Sequence, residues 1–249
     1  MKILISLLIF LFAPQMMWAD NQLWQYSKND STKIVALLDE AKNEKEDTNF
    51  PLFFANKFIG IRYVASTLER NKTEKLVINL QELDCTTLVE NVLALTLCAK
   101  TKQYTFKQFC TFLQKIRYDN GVISYPTRLH YFSEWINDNT KQGFVKEINT
   151  PNPPFKSQQI LDLHYMSTQH HKYPMLVQNP SWIKEIRTME QMVSGKTVNY
   201  IPKGILNNSS LIKDIIKDGD IIAIVTAKKG LDTSHIGFAS WHNGQLHLL

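Results

Sequence analysis

The stretch "NLQELDCTTLVENVLALTLCA", residues 79–99, indicates a long buried helix that begins beside a cysteine. Asp84 is a residue type that favours the N-cap, so Cys85 is predicted at the first helical position. The segment from Thr87 to Glu90 also fits a capping box, which would set the helix start slightly later. In both cases Cys85 lies at the positive end of a helix dipole, where free backbone N–H groups favour a thiolate.

Further helices are predicted on both sides of this segment, because apolar residues recur there at three- and four-residue spacing. In the first of these helices Ser31 is expected to be the cap, with Ile34, Leu37 and Leu38 on one face. The predicted helices cover residues 31–43, 105–117, 128–139, 157–171 and 180–193. Loops are predicted at Asp119–Gly121 and at "NTPNPPF", residues 149–155.

The C-terminal third of the chain has a different pattern, typical of strands. Short β-branched or aromatic runs occupy residues 197–201, 220–227, 234–241 and 245–249. The pair Asn243-Gly244 between the last two runs predicts a two-residue hairpin turn. Helices followed by antiparallel strands predict a single α+β domain, residues 20–249, with helices on one side of a sheet. Its helical part spans about 20–195 and its sheet part about 196–249.

The first 19 residues are predicted to be a signal peptide. Lys2 is followed by an apolar run from Ile3 to Phe12 that is too short to span a bilayer, and Ala19 fits a cleavage point. We therefore expect an exported protein, periplasmic in the first place and secreted as the alternative, with no membrane insertion after cleavage.

The charge of the chain favours no nucleic-acid partner. The formal net charge is +5, and the lysines are spread along the sequence, which is typical of a solvated surface. Mild basicity would also suit an anionic polymer such as a cell wall.

Three cysteines, Cys85, Cys98 and Cys110, occur in a chain expected to enter an oxidising compartment. Cys98 and Cys110 lie near the facing ends of two predicted helices and could approach each other, whether or not they pair. Cys85 is left over as a free thiol. It is either a nucleophile at a helix start or a small buried hydrophobic residue.

A thiolate nucleophile needs a base, and His235 is the histidine whose position fits best among the seven in the chain. It opens an apolar strand after the segment "KKGLDTS", so it could project into a cleft while the strand fixes its position. A structural histidine is the alternative. No HExxH or CxxC spacing is present, so neither a metal site nor a cofactor is predicted.

Several segments resemble a known group of enzymes. "GIRYVASTLE", "LDCTTLVE" and "GLDTSHIGFASW" are similar to the signature segments of NlpC-type cysteine hydrolases of bacterial cell walls, a papain-like clan. "RLHYFSEWI", "NYIPK" and "GDIIAIVT" extend the resemblance to the N-acetylmuramoyl-L-alanine amidase-like branch of that clan. The likeness covers roughly residues 50–249.

The resemblance implies a papain-like α+β fold, with N-terminal helices packed on a C-terminal antiparallel sheet. It implies Cys85 as the nucleophile, His235 as the base and Tyr63 beside the thiol. Arg62 and Ser66 depart from the proline and glycine that the wider clan tends to have near that tyrosine. The implied substrates are peptidoglycan or soluble muropeptides.

The stretch "YPTRLHYF", residues 125–132, is the predicted recognition segment. Arg128 could fork onto a carboxylate or a lactyl-peptide oxygen, and the aromatic residues beside it could stack on sugar. The alternative is an amphipathic helix start with Leu129 and Phe132 buried. The residues assigned to substrate binding are Tyr63, Thr86, Tyr125, Arg128, His130, Tyr131 and Ser234.

Together with the resemblance, these patterns predict an exported cysteine amidase, and the resemblance implies cleavage of the amide between N-acetylmuramic acid and L-alanine. One alternative is an endopeptidase that cleaves within the stem peptide by the same chemistry. Another is a catalytically silent module that binds the wall.

The residue that orients His235 is not evident in the sequence. A two-residue turn places His247 opposite Ser240, on the face of the sheet away from His235. The position diagonal to His235 on the last strand would come directly after Leu249. We therefore expect the orienting residue to lie beyond Leu249, in a longer protein of which this chain is a truncated form.

Overall fold

The computed structural model describes residues 23–148, 154–207 and 209–249, so the predicted signal peptide lies outside the described residues. The helices are α1 Lys28–Ala41, α2 Phe50–Asn56, α3 Cys85–Lys100, α4 Phe106–Arg117, α5 Phe132–Lys141, α6 Tyr165–Thr168, α7 Pro174–Gln178, α8 Trp182–Val193 and α9 Ser210–Ile215. The strands are β1 Trp24–Gln25, β2 Arg62–Tyr63, β3 Leu76–Val77, β4 Glu82–Leu83, β5 Ser157–Ile160, β6 Thr197–Tyr200, β7 Ile221–Val225, β8 Thr233–His242 and β9 Gln245–Leu248. In these described ranges no helix has the length and apolarity needed to cross a membrane.

Helix α3 forms the centre of the main core, as its apolar sequence predicts. Asp84 is its N-cap: its Oδ1 accepts from Thr87 N at 2.8 Å, and Asp84 N donates to Thr87 Oγ1 at 2.9 Å. Val92 and Leu95 are 0% exposed, and burial of such side chains stabilises the fold by roughly 1.5–3 kcal/mol each. The predicted helix, with Cys85 as its first residue, is confirmed.

The C-terminal sheet has the order β7-β8-β9, and both pairings are antiparallel. His242 pairs with Gln245, which leaves the two-residue turn that the sequence predicts. Asn243 and Gly244 have φ values of 50° and 81°, as a type I′ turn requires. The predicted hairpin and its register are therefore confirmed.

Helices cover both faces of strand β8. On one face Ile236 and Phe238 join the core cluster that contains Val92 of α3. Successive strand residues point to opposite faces, and on the other face Ala239 packs against Ile212 of α9. The sequence did not predict α9, so the expectation of helices on one side of the sheet is corrected to helices on both sides.

The first helix begins four residues earlier than predicted, because Ser27 rather than Ser31 is its cap. Asp30 N donates to Ser27 Oγ at 3.1 Å, and Ser27 N donates to Asp30 Oδ2 at 3.0 Å. This reciprocal pair is a capping box, and the Asp30 side chain that completes it is also bonded to Leu80 N at 2.9 Å. A tertiary contact therefore favours the earlier start.

The predicted helix over residues 128–139 begins only at Phe132. Arg128 instead forms an isolated antiparallel bridge with Tyr118, and Leu129 N donates to Arg117 O at 2.9 Å. These bonds hold the segment before Phe132 in an extended conformation across the end of α4.

The predicted helix over residues 157–171 is wrong at its start. Residues Ser157–Ile160 form β5, which pairs antiparallel with β6 in a separate two-stranded sheet. Helical structure is limited there to the single turn of α6 and a 3₁₀ turn, His170–Lys172. Pairing with the β-branched residues of β6 outweighs the weak helix propensity of the segment.

Candidate active site

Cys85 lies at the start of α3 and is the partly accessible cysteine of the chain. Its side chain is half-buried, whereas Cys98 and Cys110 are 0% exposed. Burial raises the pKa of Cys98 to about 12 and also raises the pKa of Cys110, so both are held as neutral thiols. All three thiols are free. Cys85 is therefore the thiol that a substrate could reach.

Tyr63 lies beside this thiol because two short parallel strands bring their segments together. Tyr63 of β2 pairs with Leu83 of β4, and Val64 N donates to Leu83 O at 2.9 Å. The Tyr63 hydroxyl interacts with the thiol and with the backbone of Cys85. Partial burial, then Cys85 and Asp84, raise the pKa of Tyr63, so it stays a neutral hydroxyl that can donate.

A cavity of about 150 Å³ brings Cys85 and His235 together. α3 contributes the cysteine and β8 contributes the histidine, so the contact between these two elements forms the site. The lining also includes Thr86, His130, Tyr131 and Ser234 among the residues that the sequence singled out.

The His235 ring is half-buried, and among the described residues no hydrogen bond joins it to Cys85 or to any other side chain. His235 pairs with Ile224, next to a register shift between Ile224 and Val225 in the neighbouring strand. His247 is opposite Ser240, and its ring lies 5.5 Å from that of His242. The predicted register, which places His247 opposite Ser240 and on the face of the sheet away from His235, is thereby confirmed.

Asp232 holds the segment before His235 in place, a feature that the sequence analysis missed. Its Oδ2 accepts from Ser133 N and Ser133 Oγ, both at 2.7 Å, and its Oδ1 accepts from Thr233 N at 2.7 Å. Asp232 is 5% exposed and lines the cavity. Because Ser133 lies in the first turn of α5, Asp232 caps that helix from outside it. The signal was the aspartate before Thr-Ser, a residue type that bonds to nearby backbone.

His130 contributes a neutral ring to the cavity wall. Its Nε2 is bonded to the carbonyl oxygen of Tyr125 at 2.8 Å, so Nε2 carries the proton in the neutral ring. Burial, and then the nearby Arg128, lower the pKa of His130 to about 3. The ring is therefore neutral at any pH at which the protein would work.

Arg128 is not available to a substrate, which corrects the expectation from the sequence. It is 5% exposed and is ion-paired to Glu69 through Nη2 and to Glu74 through Nη1, the latter at 3.4 Å. Its guanidinium also lies 4.7 Å from the ring centroid of Tyr125. The guanidinium group of Arg128 is thus already bound by carboxylates of the protein itself.

Tyr125 and Tyr131 are likewise packed inside and do not present rings for sugar stacking. Tyr125 is 0% exposed and is stacked on Trp182 with ring centroids 5.8 Å apart. Tyr131 is 2% exposed, and its hydroxyl donates to Glu190 Oε1 at 2.6 Å and accepts from Met166 N at 3.0 Å. Both support the wall behind His130.

Thr86 and Ser234 remain at the mouth of the cavity. Thr86 Oγ1 lies 4.0 Å from Cys85 Sγ, and the exposed Ser234 donates to Ile224 O at 3.3 Å. The Thr86 hydroxyl therefore lies beside the thiol, and Ser234 precedes His235 on β8. In the described ranges no group of three or more acidic, histidine or cysteine side chains could hold a metal ion.

A larger groove of about 1640 Å³ runs beside β5, β6 and β7. It borders the small cavity at Phe132, Asp232 and Thr233, but neither Cys85 nor His235 lines it. The smaller cavity is the candidate active site because it holds Cys85 and His235, the candidate nucleophile and base.

Comparison with known proteins shows that the chain is similar to an amidase-like family. Residues 53–249 match the AmiA-like family model, described as N-acetylmuramoyl-L-alanine amidase-like. Two structures of an N-acetylmuramoyl-L-alanine amidase from Bacteroides uniformis ATCC 8492 are 42% and 41% identical, with TM-scores of 0.74 and 0.73. Each match covers 80% of this chain and 82% of that chain. None of the curated proteins matches the chain.

A Bacteroides fragilis structure that carries the provisional name of a xylanase is 43% identical, with a TM-score of 0.72. The match covers 78% of this chain and 83% of that chain. Relatives of similar identity therefore carry two different activity names, and the chemistry of the site has to decide between them. A thiol and an imidazole in one cavity are typical of acyl transfer, whereas glycoside hydrolysis most often uses a pair of carboxylates.

Proposed function

The chain belongs to the N-acetylmuramoyl-L-alanine amidase-like family, and we propose that it hydrolyses the amide between N-acetylmuramic acid and L-alanine in peptidoglycan. Cys85 is the nucleophile and His235 the base. The observation that carries this proposal is the half-buried thiol at a helix start that shares a cavity with a strand histidine. The order of the two residues in the chain and their elements also support a papain-like, NlpC-type enzyme.

In the first half of the reaction His235 takes the proton from Cys85, and Sγ attacks the carbonyl carbon of the lactyl group. The electron pair of the C=O bond moves to oxygen, and its return expels the amine of L-alanine, which takes the proton from His235. In the free protein the described contacts include no bond between Sγ and the ring. Catalytic bonds of this kind often tighten only when substrate is bound.

The oxyanion would lie near the start of α3. The backbone N–H of Cys85 and the hydroxyl of Tyr63 already interact with each other, so a substrate oxygen placed between them would meet two donors. In the second half of the reaction His235 takes a proton from water, which attacks the thioester. Release of the muramic carboxylate restores the thiol.

We also propose that the protein is exported, with periplasmic release after cleavage at Ala19. The sequence of residues 1–19 supports this, since a short positive start precedes an apolar run. The N-terminal residue of protein recovered from the periplasm tests the proposal. Asp20 at the N-terminus is the expected result, and uncleaved protein in the cytoplasm would contradict it.

Digestion of purified muropeptides with mass analysis of the products tests the proposed activity. Free disaccharide and an intact stem peptide are expected. Shortened peptides still attached to sugar would instead indicate an endopeptidase. Binding to the wall without any product would indicate a silent module, and cleavage of xylan would support the name that the Bacteroides fragilis relative carries.

A further inference from the structure

Two lysines and a tyrosine form a positively charged patch near the cavity. Lys228 Nζ lies 4.3 Å from the centroid of the Tyr165 ring, and Lys172 Nζ lies 5.5 Å from it. Lys172 Nζ also lies 3.4 Å from the Tyr165 hydroxyl oxygen. Both lysines are exposed, so their ammonium groups are open to a ligand. This patch consists of Tyr165, Lys172 and Lys228.

The patch carries two positive charges. Within the described part of the chain, neither Lys172 nor Lys228 is ion-paired to a carboxylate. Both ammonium groups lie close to the Tyr165 ring, and for that reason Lys228, and then Lys172, lower the pKa of its phenol. Like charges gathered on one ring repel each other, and an anionic ligand would relieve that repulsion.

Backbone contacts fix the patch to the loop that leads into the active site. His164 N and Tyr165 N both donate to Gly230 O, at 3.2 and 3.1 Å. Gly230 has a φ of +82°, and a Cβ there would lie 2.8 Å from Tyr165 N, so only glycine allows this approach. Lys228 O accepts from Leu231 N at 3.2 Å, and Leu231 lines the cavity with Cys85.

We propose that Tyr165, Lys172 and Lys228 form a subsite for carboxylates of the substrate, namely those of the stem peptide beyond the scissile amide. This inference rests on the proposed function, because that function supplies a peptide whose acidic groups extend from the cavity. The two ammonium groups bind carboxylate oxygens, and the tyrosine ring holds the lysine stems in position. The sequence separates these lysines, so their convergence is visible only in the fold.

Steady-state kinetics on a matched pair of substrates tests the subsite. One substrate is a disaccharide tripeptide with free carboxylates, and the other is the same compound with those carboxylates converted to amides. The double variant Lys172→Gln/Lys228→Gln should raise KM about tenfold on the free acid, with kcat unchanged, since exposed pairs contribute modestly. On the amidated substrate it should match the unmodified protein.

Lys213→Gln is the matched control. Lys213 Nζ also lies over an aromatic ring, 5.6 Å from the centroid of Trp241. Trp241 is six residues along β8 from His235, roughly 20 Å at about 3.3 Å per residue, so this variant should leave both substrates unaffected. Equal losses on both substrates in the double variant, or no loss on the free acid, would overturn the subsite.

Binding without turnover separates this inference from the proposed function. The Cys85→Ala protein should bind the free acid more tightly than the amidated compound in calorimetry, and the lysine substitutions should remove that difference. If the difference is seen but the unmodified protein releases no product, only the proposed function fails. If product is released but binding shows no difference, only the subsite fails.

Discussion

The front of the cavity and the residues packed behind it, here called the back wall, both carry polar side chains, but these are in opposite states. At the front, Cys85 and His235 are half-buried: the thiol meets the Tyr63 hydroxyl, and among the described residues no hydrogen bond joins the His235 ring to another side chain. At the back, Arg128 and Tyr131 are buried, with their polar groups bonded to Glu69, Glu74 and Glu190. Residue type therefore does not identify the reacting groups. Groups left free at an accessible surface can react, and groups already satisfied by the protein hold the wall in shape.

The largest expected effect is on turnover at the front of the cavity. Cys85→Ala should lower kcat by on the order of 10⁴-fold or more, because the attacking atom is lost, while the melting temperature stays nearly unchanged. Cys98→Ala is the matched control, since it removes a thiol from the same helix away from the cavity. It should cost stability through the space it leaves but retain turnover. If Cys85→Ala turns over substrate as fast as the unmodified protein, Cys85 is not the nucleophile.

The next largest effect is on stability at the back wall. Arg128→Ala should lower the free energy of unfolding by about 3–5 kcal/mol, because it leaves Glu69 and Glu74 without their partner in the interior. Chemical denaturation measures this. The control is Arg70→Ala, whose pair with Glu82 at 2.6 Å is partly exposed, with an expected loss of no more than about 1 kcal/mol. If Arg128→Ala leaves stability unchanged but impairs kinetics, Arg128 contacts the substrate, as the sequence predicted.

Asp232 connects the two regions, and its substitution should affect both. Asp232→Asn places an amide donor against the N–H groups of Ser133 and Thr233, so we expect a loss of about 1–3 kcal/mol in unfolding free energy. At temperatures below the melting transition, turnover should fall about tenfold, because the start of the strand that carries His235 is no longer held in place. Ser133→Ala removes one of the bonds and should show a smaller loss of both. Full turnover in Asp232→Asn would show that the hydrogen bonds of Asp232 to Ser133 and Thr233 have no part in catalysis.

The smallest expected effect is a difference in acid sensitivity. The pKa of His130 is lowered to about 3, whereas the unfolded value is about 6.5. The folded state therefore binds this proton less well, and the stability that neutral His130 contributes is lost as pH falls below about 6.5. His130→Gln keeps a donor for Tyr125 O and does not titrate. Its melting temperature should fall less than that of the unmodified protein between about pH 7 and about pH 5, and equal falls would contradict this.

Local sequence signals predicted the front of the cavity well. Asp84 is an N-cap within the same turn as Cys85, and Asn243-Gly244 fixes the register of β8 and β9 by itself. Neither feature depends on distant contacts. The positions of the thiol at a helix start and of His247 opposite Ser240 could therefore be read from the sequence.

The back wall could not be predicted in this way, because it depends on contacts between distant segments. Arg128 meets Glu69 and Glu74 from far along the chain, and the same charged fork would suit a substrate carboxylate equally well. The strand β5 likewise exists through its pairing with β6. Only the fold shows which polar groups have already found partners.

Alkylation by iodoacetamide tests the central claim most directly, with residual activity and peptide masses measured in the same samples. We predict that turnover of a muropeptide falls in proportion to the fraction of Cys85 alkylated, while the buried Cys98 and Cys110 of the folded protein remain unmodified. Bound substrate should slow the alkylation of Cys85. Turnover that persists after complete alkylation of Cys85, or a loss that follows another cysteine, would contradict the account.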